Sequence, residues 1–219
     1  MQIWRNDLGV IMTNKTVAAI IIGIDGWEKY TLPLMRSIRK HEPECAIWVI
    51  DNASEEPYWK QAEIPISRTD RLCYSAAINV GKDHVDVLGP FDWYIVLSND
   101  VLCTGPFAEK LARYGDGDLV GPLLKETHGF PYIEGWCIAT PRKVWDAIGQ
   151  WDAENFPGSS WEDVWWSTEA RLHGCALVED LPFIHLDQRQ RYHVIPNFGS
   201  MDAHNREYFL SKYRQYAGR

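Results

Sequence analysis

Short, almost continuously apolar runs alternate with helix-patterned segments along the first half of the chain. Residues 16–24, 46–50 and 93–97 are rich in Val and Ile, which is typical of strands buried on both faces. Between them, residues 28–41 and 72–84 carry apolar positions at helical spacing. Strands that alternate with helices predict an α/β fold with an open, mostly parallel sheet and helices on both faces.

The second half of the chain has a less regular pattern of short strands and helices. Strands are predicted at 119–120, 133–139 and 176–186, and helices at 141–148, 161–173 and 202–216. We find no internal repeat and no linker. The sequence therefore predicts one domain over residues 1–219, with a Rossmann-like N-terminal half, a possible N-terminal extension at 1–15 and a basic helical tail at 188–219.

Charge is distributed unevenly over this acidic protein. The net charge is −8, but residues 188–219 carry six Lys and Arg against two acids, a balance of +4, which leaves −12 on the rest. An acidic body argues against a protein whose main task is to hold nucleic acid. The tail is suited to phosphates, an anionic membrane surface or an anionic polymer, although an ordinary solvated helix face has the same composition.

Targeting and cysteine patterns suggest an intracellular protein. We find no run of about 18 apolar residues, which a membrane span requires, and no secretory leader pattern. The five cysteines are scattered without a CxxC pair, so reduced thiols are expected rather than a zinc site or disulfides. We therefore expect a cytoplasmic location without a transmembrane span, with peripheral membrane contact open to the basic tail.

Acidic residues follow the predicted strands where open α/β sheets place their chemistry. Asp25 and Asp51 come directly after the first two buried runs, and Asp100 follows the third after Ser98 and Asn99. Ligands of such sheets bind beyond the carboxyl ends of the strands, so these residues indicate a site. The alternative is that each aspartate only forms a turn.

A second acidic feature is the pair Glu162 and Asp163, which lies among Trp161, Trp165 and Trp166. Carboxylates can accept a proton or bind a metal, and indole faces stack on sugar rings or bases. The alternative is a helix start, with Ser160 as the N-cap and Asp163 answering it as in a capping box. The two interpretations are compatible, because a cap can also hold a catalytic side chain in place.

Six motifs occur in an order that resembles the family 2 glycosyltransferases, which have the GT-A fold. They are Val-Ile-Asp-Asn-Ala-Ser at 49–54, Tyr-Ser-Ala-Ala-Ile-Asn-Val-Gly at 74–81, Val-Leu-Ser-Asn-Asp at 96–100, Ile-Gly-Gln-Trp-Asp at 148–152, Trp-Glu-Asp at 161–163 and Pro-Phe-Ile-His at 182–185. The resemblance extends from about residue 16 to 187.

This resemblance implies a metal-dependent, inverting transferase that uses a nucleotide diphosphate sugar, with UDP as the expected nucleotide. Asp100 matches the last aspartate of the family's Asp-x-Asp motif, and His185 matches a histidine that completes the metal shell in related enzymes. Both are therefore predicted ligands of Mn²⁺ or Mg²⁺, because a departing diphosphate needs a divalent cation. Ser98 stands where the family usually has its first aspartate, so the metal site has one carboxylate fewer. The residues predicted to contact the nucleotide are Asp51, Arg71, Asn79, Ser98 and Asn99.

For catalysis, the resemblance makes Asp163 the base that takes the acceptor's proton, with Glu162 orienting the acceptor or the base. Trp136 and Trp161 are predicted to form an acceptor or sugar platform. The acceptor hydroxyl could belong to a glycan, a lipid-linked molecule, a protein or a modified nucleic-acid base, and nucleic acid enters only as an acceptor.

Two other functions compete with this prediction. Ser98 and the short length suit a non-catalytic relative that binds nucleotide sugars or glycans. A nucleotidyltransferase also uses an acidic metal site on an open sheet, but it predicts a Gly-rich basic loop after the first strand. Residues 23–27 carry no Lys or Arg, so this alternative is less well supported.

Overall fold

A seven-stranded sheet forms the centre of the computed structural model, which describes residues 3–5, 11–13, 16–55, 65–67, 70–186 and 197–218. The strands are β1 (Ile3–Arg5), β2 (Ile11–Thr13), β3 (Val17–Gly23), β4 (Ala46–Asp51), β5 (Pro65–Ser67), β6 (Trp93–Ser98), β7 (Val101–Cys103), β8 (Asp118–Gly121), β9 (Leu124–Thr127), β10 (Phe130–Ile133), β11 (Cys137–Pro141), β12 (Ala176–Glu179) and β13 (Phe183–His185). The helices are α1 (Leu32–His41), α2 (Tyr74–Leu88), α3 (Ala108–Arg113), α4 (Arg142–Ile148), α5 (Glu162–Leu172) and α6 (Phe198–Tyr213).

The order of strands in the sheet is β12-β8-β11-β6-β3-β4-β5. Neighbours from β6 to β5 are parallel, as are β12 and β8, whereas β11 runs antiparallel to both β6 and β8. This topology confirms the predicted mostly parallel sheet. Smaller antiparallel pairs join β1 to β2, β9 to β10 and β7 to β13.

Helices cover both faces of the sheet, which explains why its central strands are apolar at nearly every position. Alternate residues of β3 enter different cores: Ile20 packs in the core that includes residues of α2, α4, α5 and α6, and Ile21 in the core that includes residues of α1 and α3. Both side chains are fully buried. A strand with two covered faces has no solvent side, so it shows a continuous run rather than alternation.

The structure changes several of the predicted boundaries. Residues 133–139 are the end of β10, a turn at 134–136 and β11, rather than one strand. Short elements such as β7, β9 and α3 carry too few residues to show a period, and sequence reasoning missed them. The helix at 28–41 begins with a π-helical turn, Trp27–Thr31, and α6 is followed by a 3-10 turn, Arg214–Tyr216.

The two termini are only partly described. Only β1 and β2 are described within residues 1–15, and residues 187–196, which include Arg189 and Arg191 of the predicted basic tail, lie outside the described residues. The boundaries of the single domain therefore stay a prediction. Among the residues that the structure describes, no helix is both long enough and apolar enough to cross a membrane.

A buried cation joins α2 to β6 and α4. Lys82 is 5% exposed, forms an ion pair with Asp86 and lies 4.4 Å from the ring centre of Tyr94. The Tyr94 hydroxyl and Arg142 also donate to Asp86, at 2.7 and 3.2 Å. Burial acts to raise the pKa of Asp86, but hydrogen bonds from Lys82 and Tyr94 outweigh it, so the pKa is lowered overall. The ionised carboxylate therefore stabilises the fold.

We expect Asp86→Asn to lower the free energy of unfolding at pH 7, because it leaves the Lys82 ammonium buried without its counter-charge. The pKa of Asp86 in the folded protein lies below the unfolded value of about 3.9. Its contribution to the free energy of unfolding is therefore complete above that unfolded value and is lost as the pH falls through the folded pKa. Urea unfolding at a series of pH values from 7 downward measures this effect. The curves of the variant and the wild type should converge in acid.

Asp83→Asn is the matched control, because Asp83 is exposed on the same helix. At each pH, the unfolding curve of Asp83→Asn should nearly coincide with that of the wild type. An Asp86→Asn deficit that persists unchanged in acid would show that the charge is not the stabilising feature.

Candidate functional site

A cavity of about 730 Å³ opens at the carboxyl ends of β3, β4 and β6. Its volume lies in the range that small-molecule and cofactor sites occupy. All but two of the predicted site residues line it: Arg71, Ser98, Asn99, Asp100, Trp136, Trp161, Glu162, Asp163 and His185. These residues thus share one cavity, although the individual contacts differ from several of the predicted ones.

Asp51 is one of the two exceptions, and its position corrects the prediction of nucleotide contact. It is 1% exposed, is not part of the lining, and accepts a hydrogen bond from the Ser54 N–H at 3.1 Å. The Asp51 side chain thus bonds the backbone three residues further on and holds the turn after β4, which is the turn-forming role that the sequence left open. The next residue, Asn52, lines the cavity, and its amide pairs with both backbone groups of Leu72, at 2.8 and 2.9 Å.

Asn79 is the other exception. Its amide donates to the Trp151 carbonyl and accepts from the Trp151 N–H, each at 2.8 Å, and it does not line the cavity. Its role is therefore to join α2 to the segment after α4 rather than to face the nucleotide. The contact joins two of the sequence motifs, at 74–81 and 148–152.

Asn99 lines the cavity, but its amide nitrogen forms hydrogen bonds to the surrounding protein. Its amide nitrogen donates to the Asp25 carbonyl at 3.0 Å and to the Thr31 hydroxyl at 3.2 Å. Arg71 is exposed at the rim, with its guanidinium 3.5 Å from the Ala53 carbonyl oxygen. Of these two predicted nucleotide contacts, Arg71 is the better placed to meet a ligand.

Asp100 and His185 come together as the sequence predicted. Strand β13 pairs with β7 so that His185 lies opposite Val101, and the His185 Nε2 is 3.1 Å from the Asp100 Oδ2. The Trp136 ring stacks on the imidazole, with centroids 5.0 Å apart and planes at 13°. The pair lines the cavity and lies at its strand-end wall.

The donor set of this pair suits a divalent cation. A carboxylate oxygen and an imidazole nitrogen are together better suited to Mn²⁺ than to Mg²⁺, which prefers oxygen ligands throughout. Within the described residues, no group of three or more His, Cys, Asp or Glu is arranged to hold a metal. A cation here would therefore draw most of its remaining ligands from water or from a bound substrate.

The turn at 134–136 connects this pair to the acidic helix start. The Gly135 N–H donates to the Asp163 Oδ2 at 2.9 Å, and the Ser98 N–H donates to the Trp136 carbonyl at 2.9 Å. A Cβ at position 135 would lie 3.1 Å from the Asp163 Cβ, which is closer than nearly all real contacts of this kind. Sequence reasoning missed the turn, although an isolated glycine inside an apolar strand pattern indicates such a close approach.

Tyr74 holds the same turn from the other side and was also missed. Its hydroxyl donates to the Gly135 carbonyl at 3.0 Å and lies 3.4 Å from the Ser98 hydroxyl. Burial raises the pKa of Tyr74 well above its usual range, and the charges of Glu162 and Asp100 act in the same direction. The hydroxyl therefore remains a hydrogen-bond donor at all physiological pH values.

The acidic pair forms the first turn of α5, but Ser160 is not its cap. The helix begins at Glu162, and Trp161 precedes it with a left-handed φ of 67° and no side-chain cap. Ser160 instead accepts hydrogen bonds from the buried Asn205 amide, at 2.9 Å on its carbonyl and 3.3 Å on its hydroxyl. Asp163 also accepts from the Val164 N–H at 2.9 Å. The predicted capping box is therefore wrong.

The three neighbouring tryptophans have different roles. Trp161 lines the cavity and packs against His128 and Phe209, with centroids 5.6 and 5.5 Å apart. Trp165 and Trp166 belong to α5 and are buried in the core against which this helix packs. A bulky residue at positive φ is strained, and such strain persists only where the surroundings enforce it, as at many functional sites.

Similarity to known proteins is found in the structure of the chain and not in its sequence. No protein family model and no curated protein matches it. Three similar solved structures, each 12% identical, are GalNAc-T7 with UDP, GalNAc and Mn²⁺; the mannosyltransferase PcManGT from Pyrobaculum calidifontis with GDP-Man and Mn²⁺; and TarS 1–349 from S. aureus. Their TM-scores are 0.71, 0.62 and 0.58.

The three alignments cover 94%, 94% and 91% of this chain, and 50%, 72% and 73% of the other chains. The chain thus spans half the length of the GalNAc-T7 chain. At this level of identity the likeness defines the fold, which is that of the GT-A glycosyltransferases. The fold implied by the family resemblance is confirmed.

We expect Gly135→Ala to lower the free energy of unfolding by about 1–3 kcal/mol, because a Cβ 3.1 Å from the Asp163 Cβ is crowded and α5 and the turn must shift by a few tenths of an ångström to fit it. Urea unfolding measures the loss. Gly117→Ala is the control, since a Cβ at that position meets nothing within 4 Å and the backbone angle is ordinary. Equal stability of the two variants would contradict the close contact.

Proposed function

We propose that this protein is a metal-dependent inverting glycosyltransferase that moves a sugar from a nucleotide diphosphate sugar to an acceptor hydroxyl. The observation that carries the proposal is the turn at 134–136, which contacts the Asp100–His185 pair through Trp136 and the Asp163 carboxylate through Gly135. Metal pair and base thus face one cavity in a GT-A fold. The Mn²⁺ and nucleotide named with two similar structures support this function.

Asp100 and His185 would hold the cation, which when bound offsets the charge that develops on the departing diphosphate. Arg71 at the rim would meet the donor's phosphates or ribose, and Ser98 lines the same cavity. Ile22, Ile24 and Leu72 supply apolar lining at the strand-end wall, where the nucleotide base would bind. We take UDP as the first nucleotide to test.

Asp163 is the proposed base. Backbone N–H groups of Gly135 and Val164 each donate to one of its oxygens, which holds the carboxylate in place at the cavity that it lines. It would take the acceptor hydroxyl's proton as that oxygen bonds to the anomeric carbon and the bond from that carbon to the phosphate oxygen breaks. Attack opposite the leaving diphosphate inverts the anomeric centre.

The acceptor would bind on the α5 side of the cavity. Glu162 is 4% exposed and lines the cavity beside the base, where it would orient the acceptor. The exposed part of Trp161 offers an aromatic face for a sugar ring. The acceptor classes remain those that the resemblance implies, and the cytoplasmic location and the contacts of the basic tail remain predictions.

Binding of the donor gives the first test. We expect UDP or GDP to raise the melting temperature more with Mn²⁺ than with EDTA, because a molecule that binds only the native state stabilises it. Asp100→Asn and His185→Ala should remove the Mn²⁺-dependent part of the shift. Asp146→Asn and His84→Ala are the matched controls, since both residues are exposed on helices and do not line the cavity. No shift with any nucleotide diphosphate would defeat the proposal.

Turnover tests the base. We expect Asp163→Asn to lower kcat by about 10²- to 10⁴-fold, because an amide cannot take the proton, while nucleotide binding persists. Product formation with an acceptor panel and donor hydrolysis measure kcat, and Asp146→Asn should match the wild type. Unchanged turnover in Asp163→Asn would exclude this base. Binding without transfer or hydrolysis in the wild type would instead favour the non-catalytic relative.

A further inference from the structure

Glu134 is a carboxylate at the cavity that neither the metal pair nor the base accounts for. It lines the cavity, and its side chain is 13% exposed. The Trp136 indole N–H donates to its Oε2 at 2.7 Å, and the Lys125 ammonium pairs with its Oε1. Each oxygen thus has one donor from the protein and retains a lone pair for another. The carboxylate is fixed in place and able to accept further hydrogen bonds.

The position of the turn shows what would meet this carboxylate. In the proposed function, on which this inference rests, the phosphate end of the donor lies at Asp100 and His185 and the acceptor oxygen lies at Asp163. The sugar must lie between them. The turn at 134–136 contacts both places, through Trp136 on one side and Gly135 on the other. The transferred sugar therefore lies over this turn, with Glu134 at its edge.

We propose that Glu134 is a specificity-determining residue that accepts hydrogen bonds from hydroxyls of the transferred sugar. A fixed carboxylate favours neutral sugars that present hydroxyl donors. It disfavours uronic acids, because a sugar carboxylate beside Glu134 would place two negative charges together in a partly buried cavity. The donor class is therefore a nucleotide diphosphate linked to a neutral sugar.

Glu134→Gln tests this role while keeping the shape of the side chain and an oxygen for the Trp136 N–H. Binding with Mn²⁺ would be measured by calorimetry for UDP, GDP, UDP-glucose, UDP-galactose, GDP-mannose and UDP-glucuronic acid. We expect the wild type to prefer the best neutral donor over UDP-glucuronic acid. In the variant that preference should shrink about 10- to 100-fold, the size expected when hydrogen bonds to a charged group are lost. Affinity for UDP and GDP should stay the same.

Glu126→Gln is the matched control. Glu126 lies on β9, in the same hairpin, and is exposed without lining the cavity. The same loss of charge at that position should leave every affinity unchanged. A general electrostatic effect of the substitution would instead change both variants alike and would overturn the assignment.

The outcomes distinguish a failure of the role assigned to Glu134 from a failure of the proposed function. If nucleotides bind and the neutral-to-acidic preference of Glu134→Gln equals that of the wild type, the role of Glu134 is wrong while the proposed function stands. If the variant loses UDP and sugar donors in equal proportion, Glu134 supports the cavity rather than selecting the sugar. If no nucleotide binds the wild type, the proposed function fails and this inference with it.

Discussion

The hydrogen bond from the Gly135 N–H to Asp163 is the contact on which the arrangement of the site depends. Position 135 has no side chain, and the start of α5 approaches the turn to a distance at which a Cβ would be crowded against Asp163. The carbonyl of the same residue is held by Tyr74, and the next carbonyl by the Ser98 N–H. The backbone of this turn is thereby held on three sides, and the turn links Asp163 to Trp136, whose ring stacks on His185.

The same cavity gathers several carboxylates that would repel one another without local compensation. Asp100 has the imidazole of His185, and Asp163 has two backbone donors at a helix start, where the dipole favours negative charge. Glu134 has Lys125 and an indole N–H. Each of these three carboxylates thus has its own local partners. The anionic donor of the proposed function would enter an acidic cavity, so its binding would depend strongly on a cation.

The sequence predicted the location of the site better than the role of each residue in it. Continuous apolar runs mark strands with two covered faces, so the ends of β4 and β6 and the residues beyond them could be placed at one edge. Residue type does not show where a polar side chain points, so Asp51 was assigned to the nucleotide although it forms a turn. The turn around Gly135 lay inside an apolar stretch, where periodicity cannot separate one strand from two.

The serine at position 98 affects how much negative charge the protein offers to a cation at the site. Its hydroxyl is 3.4 Å from that of Tyr74, whose pKa is already raised by burial and by nearby carboxylates. An aspartate at position 98 would add another negative charge beside Asp100 and Glu162. With serine there, the protein supplies less charge to a cation, and the donor's diphosphate must supply more. Metal and donor would then bind with strong mutual dependence, and neither would occupy the cavity well without the other.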